Sequence, residues 1–483
     1  VAWLFALALL AAPPAASRKP DPRPATSPGF PLRIVGLGGD PAAPEVRLHL
    51  EHCLRLGFNA AWVEAGYAGR WDRETAPEGP VLDPRFAQWA REAGRAGLRL
   101  FLVIRPLSGP EGSFVFNRPD DLERIRAFIR ESRRRAGIRD FVLSFEDAPL
   151  RLQELQDLLR FGKMAAPAHL AAAGSLRRAL PRKTRLWFLP TIASTRGLRE
   201  ESIQYSATLL AGLPALERRV GMIWNGPEPV STTVTAADLA ELRSIAGDRR
   251  VILQDRYPSG LGPERMPLAL ALAPLRGRDP RLCERLDGYL SVPMAELGGS
   301  RLALRTIADF LRHPDRYDPD ASWRAAIAAL AGKDPSALDA LRTQAMEWGG
   351  WVAERNYRSP LRDNPISASE DLRDPAALAL WSWVERRYPV RMWELGGLED
   401  SAFRADLLQV MGRRLVVARA MPLVRDLRSA LAAGSPETAL LIGRLRRQRL
   451  EAAAEPSALV ALDRFLAASG IAPLVVGRQL NSP

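Results

Sequence analysis

The sequence predicts an α/β chain, a (β/α)8 TIM-like barrel followed by an α-helical bundle. Three observations point there. Eight short apolar runs recur from residue 33 onward, amphipathic stretches of helical period separate them, and after about residue 316 the strand-like runs stop. Strands alternating with helices imply a parallel sheet covered on both faces, and eight units over roughly 250 residues suit a closed barrel. An open doubly wound sheet is the alternative, but "GLGGDP" after the first run lacks the spacing of a dinucleotide fingerprint.

The runs are "RIVGLGG", "AAWVEA" from Ala60, "RLFLVIRP" from Arg99 and "DFVLSFED" from Asp140. They continue with "RLWFLPT" from Arg185, "VGMIWNGP" from Val220, "VILQDRYP" from Val251 and "GYLSVPM" from Gly288. Between them "EVRLHLEHCLRLG", "PRFAQWAREAGRAG" and "DDLERIRAFIRESRRRAG" carry apolar residues at helical spacing and end in glycine, a helix terminator. The barrel is expected over 32–315 and a helical domain over 316–483. In the latter, Trp348, Trp351, Trp381 and Trp383 read as core, and the arginines of "LIGRLRRQRLEAAA" as a solvated face.

Residues 1–17, "VAWLFALALLAAPPAAS", have an apolar core followed by small residues, the layout of a signal peptide. Residues 18–31 form a Pro-rich linker. The expectation is a secreted or periplasmic protein with no stable membrane span after processing. The formal charge of +13 is carried almost wholly by arginine, lysine standing only at positions 19, 163, 183 and 333. Spread evenly among Ala, Gly and Pro, it forms no basic run with interleaved aromatics, so no nucleic-acid partner is expected. The two cysteines, Cys53 and Cys283, neither demand nor exclude a disulfide. The four histidines, His49, His52, His169 and His313, make no triad and no metal-ligand spacing, so neither a metal nor another cofactor is expected.

In a barrel of this kind chemistry belongs at the C-terminal ends of the strands. Those ends carry Glu64 and Tyr67, Arg105, the adjacent acids Glu146 and Asp147, Thr191, Trp224 with Asn225, then Asp255, Arg256 and Tyr257, and finally Ser291. Glu146 and Asp147 are the candidate catalytic pair. Thr191, Trp224, Asn225, Asp255, Arg256, Tyr257 and Arg105 are candidate substrate-binding residues. Each has a plainer reading: Asp147 as the cap of a helix starting at "APLRLQ", Thr191 and Asn225 as turn residues, Trp224 as a barrel plug. Arg105 and Arg256 could form a fork for an anionic sugar, or pair internally with Glu64 and Asp255.

"GMIWNGPEPVSTTVTAADLAEL" resembles the sixth-strand segment of glycoside hydrolase family 84, the β-N-acetylglucosaminidases, whose version carries W-T-G-P. "FVLSFEDAP" is similar to that family's fourth strand, which ends in paired aspartates, and "GYLSVPMAELGGSRLALRTIADFLRHPDRYDPDASWRAAI" to its last strand and the join to a helical domain. The resemblance covers about residues 33 to 350. It implies substrate-assisted hydrolysis of a carbohydrate or glycoprotein, in which the sugar's own acetamido oxygen attacks the anomeric carbon. Glu146 then takes the acetamide-orienting role and Asp147 that of the general acid/base, helped by like-charge repulsion that favours its protonated form. The sequence departs from the family pattern at several contacts. Glu146 is one methylene longer than the family's Asp, Ala193 and Val292 replace a Tyr and an Asn, and another Asn falls on Asp255 or Arg256. A sugar-gripping acid falls on Gly260 or Leu261, and "EAGYAGRWD" stands where the family has its Gly-Phe-Tyr-Gly signature. A catalytically inactive relative that binds a glycan or protein is the alternative reading, and an unrelated barrel lyase a third.

Overall fold

A computed structural model describes residues 29–107, 114–196, 200–259, 270–351, 375–453, 456–468 and 471. All eight runs are strands: β1 (Arg33–Gly36), β2 (Ala60–Glu64), β3 (Arg99–Ile104), β4 (Asp140–Ser144), β5 (Arg185–Leu189), β6 (Gly221–Trp224), β7 (Val251–Asp255) and β8 (Gly288–Ser291). Each pairs in parallel with its sequence neighbour, and β8 returns to β1 with Arg33 opposite Tyr289, closing the barrel.

The strands read as near-continuous apolar runs because both faces are buried. Alternate residues turn inward, so Ile34, Ala60, Trp62, Phe101, Val103, Val142, Trp187, Leu189, Ile223, Ile252 and Leu290 fill the barrel's own core. The other parity packs against the helices in a second, larger core. Local chemistry fixes the helix ends. The helix Pro119–Ala136 has Pro at its start, Asp120 and Asp121 in its first turn, three arginines in its last and Gly137 beyond it at φ 73°. Thr235 and Asp238 form a reciprocal capping box on Ala236–Ala246. Two features were not read from the sequence: a two-stranded antiparallel ribbon, Gly69–Arg70 with Val81–Leu82, and the short helix Leu155–Phe161, both in loops at the C-terminal end of the barrel.

Past the helix Arg301–Arg312 every element among the described residues is helical, the longest being Ser401–Ala432. This half shares the outer core of the barrel and is also joined to it by polar contacts. Glu296, in the loop after β8, accepts from Arg413 at 2.7 Å, with both side chains more than nine-tenths buried. Asp406 accepts from the Gly299 N–H at 2.9 Å. Trp348 is buried and donates to Tyr388 Oη at 3.0 Å, as a core residue, and Trp383 packs edge-on to the same tyrosine. The side chains of Trp351 and Trp381 lie outside the described residues. Arg444, Arg446 and Arg447 are exposed, and Cys53 and Cys283 are both free thiols. No helix among the described residues is long and apolar enough to cross a membrane.

Candidate active site

The mouth of the barrel is built by parity. Inward-facing Trp62, Val103, Val142, Leu189, Ile223 and Ile252 are followed two residues later by Glu64, Arg105, Ser144, Thr191, Asn225 and Gln254, and one step further by Glu146 and Arg256. Four of these form one ion network. Arg105 donates from Nε and Nη2 to Glu64 at 3.0 and 3.2 Å and from Nη2 to Glu146 Oε2 at 2.9 Å. Arg256 donates to Glu146 Oε1 at 2.6 Å, and Gln254 Nε2 to the same oxygen at 3.1 Å. Trp62 Nε1 closes the chain on Glu64 at 3.3 Å. Burial opposes the charge of Arg105, but Glu64 and Glu146 outweigh it and raise its pKa above the usual arginine value. Two carboxylates face two guanidiniums, so the network is neutral. Arg105 therefore pairs internally, as with Glu64, whereas the partner of Arg256 is Glu146 and not Asp255.

Asp147 differs from its neighbour. The sheet ladder runs one residue past β4, to Phe145, whose N–H donates to Leu189 at 2.8 Å. The chain then turns, and the Ala148 N–H closes on the Phe145 carbonyl at 3.1 Å. Asp147 holds the third position of that turn at φ 63°, the one non-glycine with positive φ among the described residues. Asp tolerates this left-handed region better than most side chains, but at some cost in energy. Its side chain is exposed and has no partner among the described residues. It is not a helix cap: the next helix starts at Leu155, with Glu154 before it.

A clamp lies behind the turn. Phe145 points outward and stacks on His169 with centroids 3.8 Å apart and planes 1° from parallel. His169 Nδ1 lies 2.9 Å from Tyr205 Oη, which accepts from the Thr191 N–H at 3.1 Å. Tyr205 thus ties the end of β5 to the packing under β4. Burial pushes the His169 pKa down to about 3, so its ring is neutral.

The remaining expected residues divide. Thr191 and Asn225 share the inward parity, and their Oγ1 and Oδ1 are buried without a partner among the described residues, as are Gln254 Oε1 and Arg256 Nε. All four atoms are shut off from solvent in this structure. Trp224, Asp255 and Tyr257 have the opposite parity. Trp224 is fully buried in the outer core, so it neither plugs the mouth nor lines it. Asp255 is 4% exposed and accepts from Arg278 at 2.8 and 2.9 Å and from Tyr289 Oη. Tyr257 is buried and donates to the Ala273 carbonyl. All three hold the scaffold rather than face the cavity, because the inward step falls on Asn225 after β6 and on Gln254 and Arg256 at the end of β7. Gln254, absent from the expected set, was recoverable by counting two residues on from Ile252. Ala193 and Val292 join the barrel's inner core as apolar groups, while Gly260 and Leu261 lie outside the described residues.

The model of a family described as beta-N-acetylglucosaminidase matches residues 74–345, more than half of the 483-residue chain. The chain belongs to this family, glycoside hydrolase family 84. Among solved structures it is similar to a mutant of the O-GlcNAc hydrolase of Thermobaculum terrenum, with a TM-score of 0.58 and 20% identity over 91% of this chain and 94% of that one. It is also similar to CpGH84B, with a TM-score of 0.52 and 15% identity over 94% of this chain and 77% of that one. At these identities the two structures speak for the fold.

Proposed function

We propose that the chain is a glycoside hydrolase acting on a 2-acetamido sugar, with Asp147 as general acid/base and Glu146 as the anion that orients the acetamide. The observation that carries this is the unpartnered, exposed Asp147 carboxylate on a left-handed turn directly after the clamped Glu146. A backbone conformation unfavourable for a side chain is kept where surroundings and use require it. An ionised carboxylate offers about four acceptor sites. Glu146 Oε1 accepts from Arg256 and Gln254 and Oε2 from Arg105, which leaves one site for an acetamide N–H. With that N–H held, the acetamido oxygen attacks the anomeric carbon while Asp147 gives its proton to the leaving oxygen. Asp147 then takes a proton from the water that opens the cyclic intermediate.

The test is turnover of aryl N-acetyl-β-glucosaminides bearing zero to three fluorines on the acetyl methyl group. Nucleophilic participation by the acetamide requires the rate to fall steeply with each fluorine, and a flat series would remove it. A second reading, a glycan-binding relative without turnover, is favoured by the neutral Glu64–Arg105–Glu146–Arg256 network, which satisfies its own charges. Silence across a panel of chromogenic glycosides, together with saturable binding to a glycan array, would select it. We also propose that the protein works outside the cytoplasm, on the signal-like composition of residues 1–17. Recovery of intact residues 1–17 on cytosolic protein would refute that.

A further inference from the structure

At the end of the barrel opposite Asp147, three adjacent strands begin with Arg99, Asp140 and Arg185. Asp140 is 1% exposed and gripped from both sides, by Arg99 at 2.7 and 2.6 Å and by Arg185 at 2.7 and 2.6 Å, with Trp187 Nε1 at 3.1 Å. Burial pushes this carboxyl up, but the hydrogen bonds from Arg185 and Arg99 outweigh it and hold it below the usual range. A third guanidinium, Arg250, lies 4.6 Å over the Trp187 ring. Asp140 is thus shared between two guanidiniums, while Arg250 faces Asp287 as well.

Outside this cluster is a hollow of about 420 Å³ between the last turns of the helices Pro84–Arg95 and Pro119–Ala136. Its apolar lining includes Leu98, Leu100 and Ile138, and its charged lining is Arg91, Arg95, Arg99, Arg139 and Arg185 against Asp140 alone. Five cations and one anion leave a formal charge of +4. Arginines at helix C-termini ordinarily offset the helix dipole, and Arg91 does so by donating to the Arg135 carbonyl at 3.0 Å. Two helix ends, however, supply only about half a negative charge each, so about three positive charges remain uncompensated. Arg95 and Arg139 are exposed and have no partner among the described residues.

We propose that this hollow is a second binding site, for a phosphate or sulfate monoester. The oxyanion sits between Arg95 and Arg139 with Arg99 and Arg185 behind it, and the organic part lies on Leu98 and Ile138. Planar guanidinium forks match the oxygens of a tetrahedral oxyanion, and the apolar floor rewards an ester over the bare ion. Because the site lies at the N-terminal end of the strands, it is independent of the reading of the mouth.

The experiment is calorimetric titration of the full chain at low ionic strength with phenyl phosphate, phenyl sulfate, inorganic phosphate and phenol, repeated on Arg95→Ala/Arg139→Ala. At least one ester should bind saturably and more tightly than inorganic phosphate. The relative affinity of the two esters tells which oxyanion the site prefers, and phenol should not bind. The double variant, altered only at exposed side chains and checked for an unchanged circular dichroism spectrum, should lose at least about tenfold in affinity. No saturable binding of either ester, equal binding of phenyl phosphate, phenyl sulfate and inorganic phosphate, or unchanged affinity in the double variant would each overturn the assignment.

Discussion

Removing the Glu146 carboxylate tests whether the network across the mouth is one cooperative unit. The side chain is 10% exposed and accepts three hydrogen bonds, two of them from guanidiniums that are 25% and 27% exposed. A hydrogen bond to a charged group is worth about 1.5–3 kcal/mol, and orphaning one side of a buried pair costs about 3–5 kcal/mol. Both arginines can turn partly toward water, so the lower figure applies and Glu146→Ala should cost about 3 kcal/mol. Arg256→Ala leaves Arg105 on Glu146 and should cost about 1.5 kcal/mol, the worth of one charged contact. Since the two changes share that contact, the double variant should lose about 3 kcal/mol rather than 4.5, a coupling of about 1.5 kcal/mol. Urea denaturation of the four proteins reads this directly. Losses that add within about 0.5 kcal/mol would mean that the two residues do not touch, and the described mouth would be wrong.

Asp147→Asn should lower turnover by about 100- to 10,000-fold on a substrate with a poor leaving group, and much less on an activated aryl glycoside. Equal losses on both would deny it the proton-donor role. Asp147→Gly should relieve the left-handed turn and raise stability by up to about 1 kcal/mol while abolishing that turnover, which denaturation and rate measurements on one preparation can check. Burial lowers the His169 pKa to about 3, and those of His49 and His52 to about 4, with Arg301 also acting on both. The unfolded chain takes up these protons below about pH 6.5 while the folded one does not, so stability falls as pH drops from 6.5 toward each folded value. For His169 the loss by pH 4 is roughly 3 kcal/mol, and His169→Gln should remove that share of the fall between pH 6.5 and 4, leaving the part due to His49 and His52. Tyr205→Phe frees the Thr191 N–H and the His169 ring and should cost about 1–3 kcal/mol, measured the same way.

The barrel was legible because alternation of eight apolar runs with amphipathic helices leaves few other topologies. The site was legible only in part, for one reason. A strand buried on both faces has no hydrophobic alternation to show which residues turn inward. Trp224 and Asp255 looked like mouth residues beside Asn225 and Arg256, yet one step along the strand sends them to the outer core and to Arg278. Anchoring the parity on the inner Ile223 and Ile252 separates them. The turn at Asp147 left a clearer trace, since the Pro149 break marks where the strand ends. The partner of Arg256 was not legible, because Glu146 lies 110 residues away and only barrel closure brings β4 and β7 to one mouth.

The joint between the loop after β8 and the helix Ser401–Ala432 bears on how such a chain can change over time. Glu296 and Arg413 are each other's charge partner in a place with little water, and Asp406 holds the backbone of the same loop. That loop leaves the barrel at the mouth. A swap of the helical half for an unrelated module would therefore strand a buried acid in a loop that leaves the barrel's mouth. The two halves must be inherited together or altered in matched pairs, and a fragment ending near residue 316 would be a poor stand-in for the whole chain even if all eight strands formed.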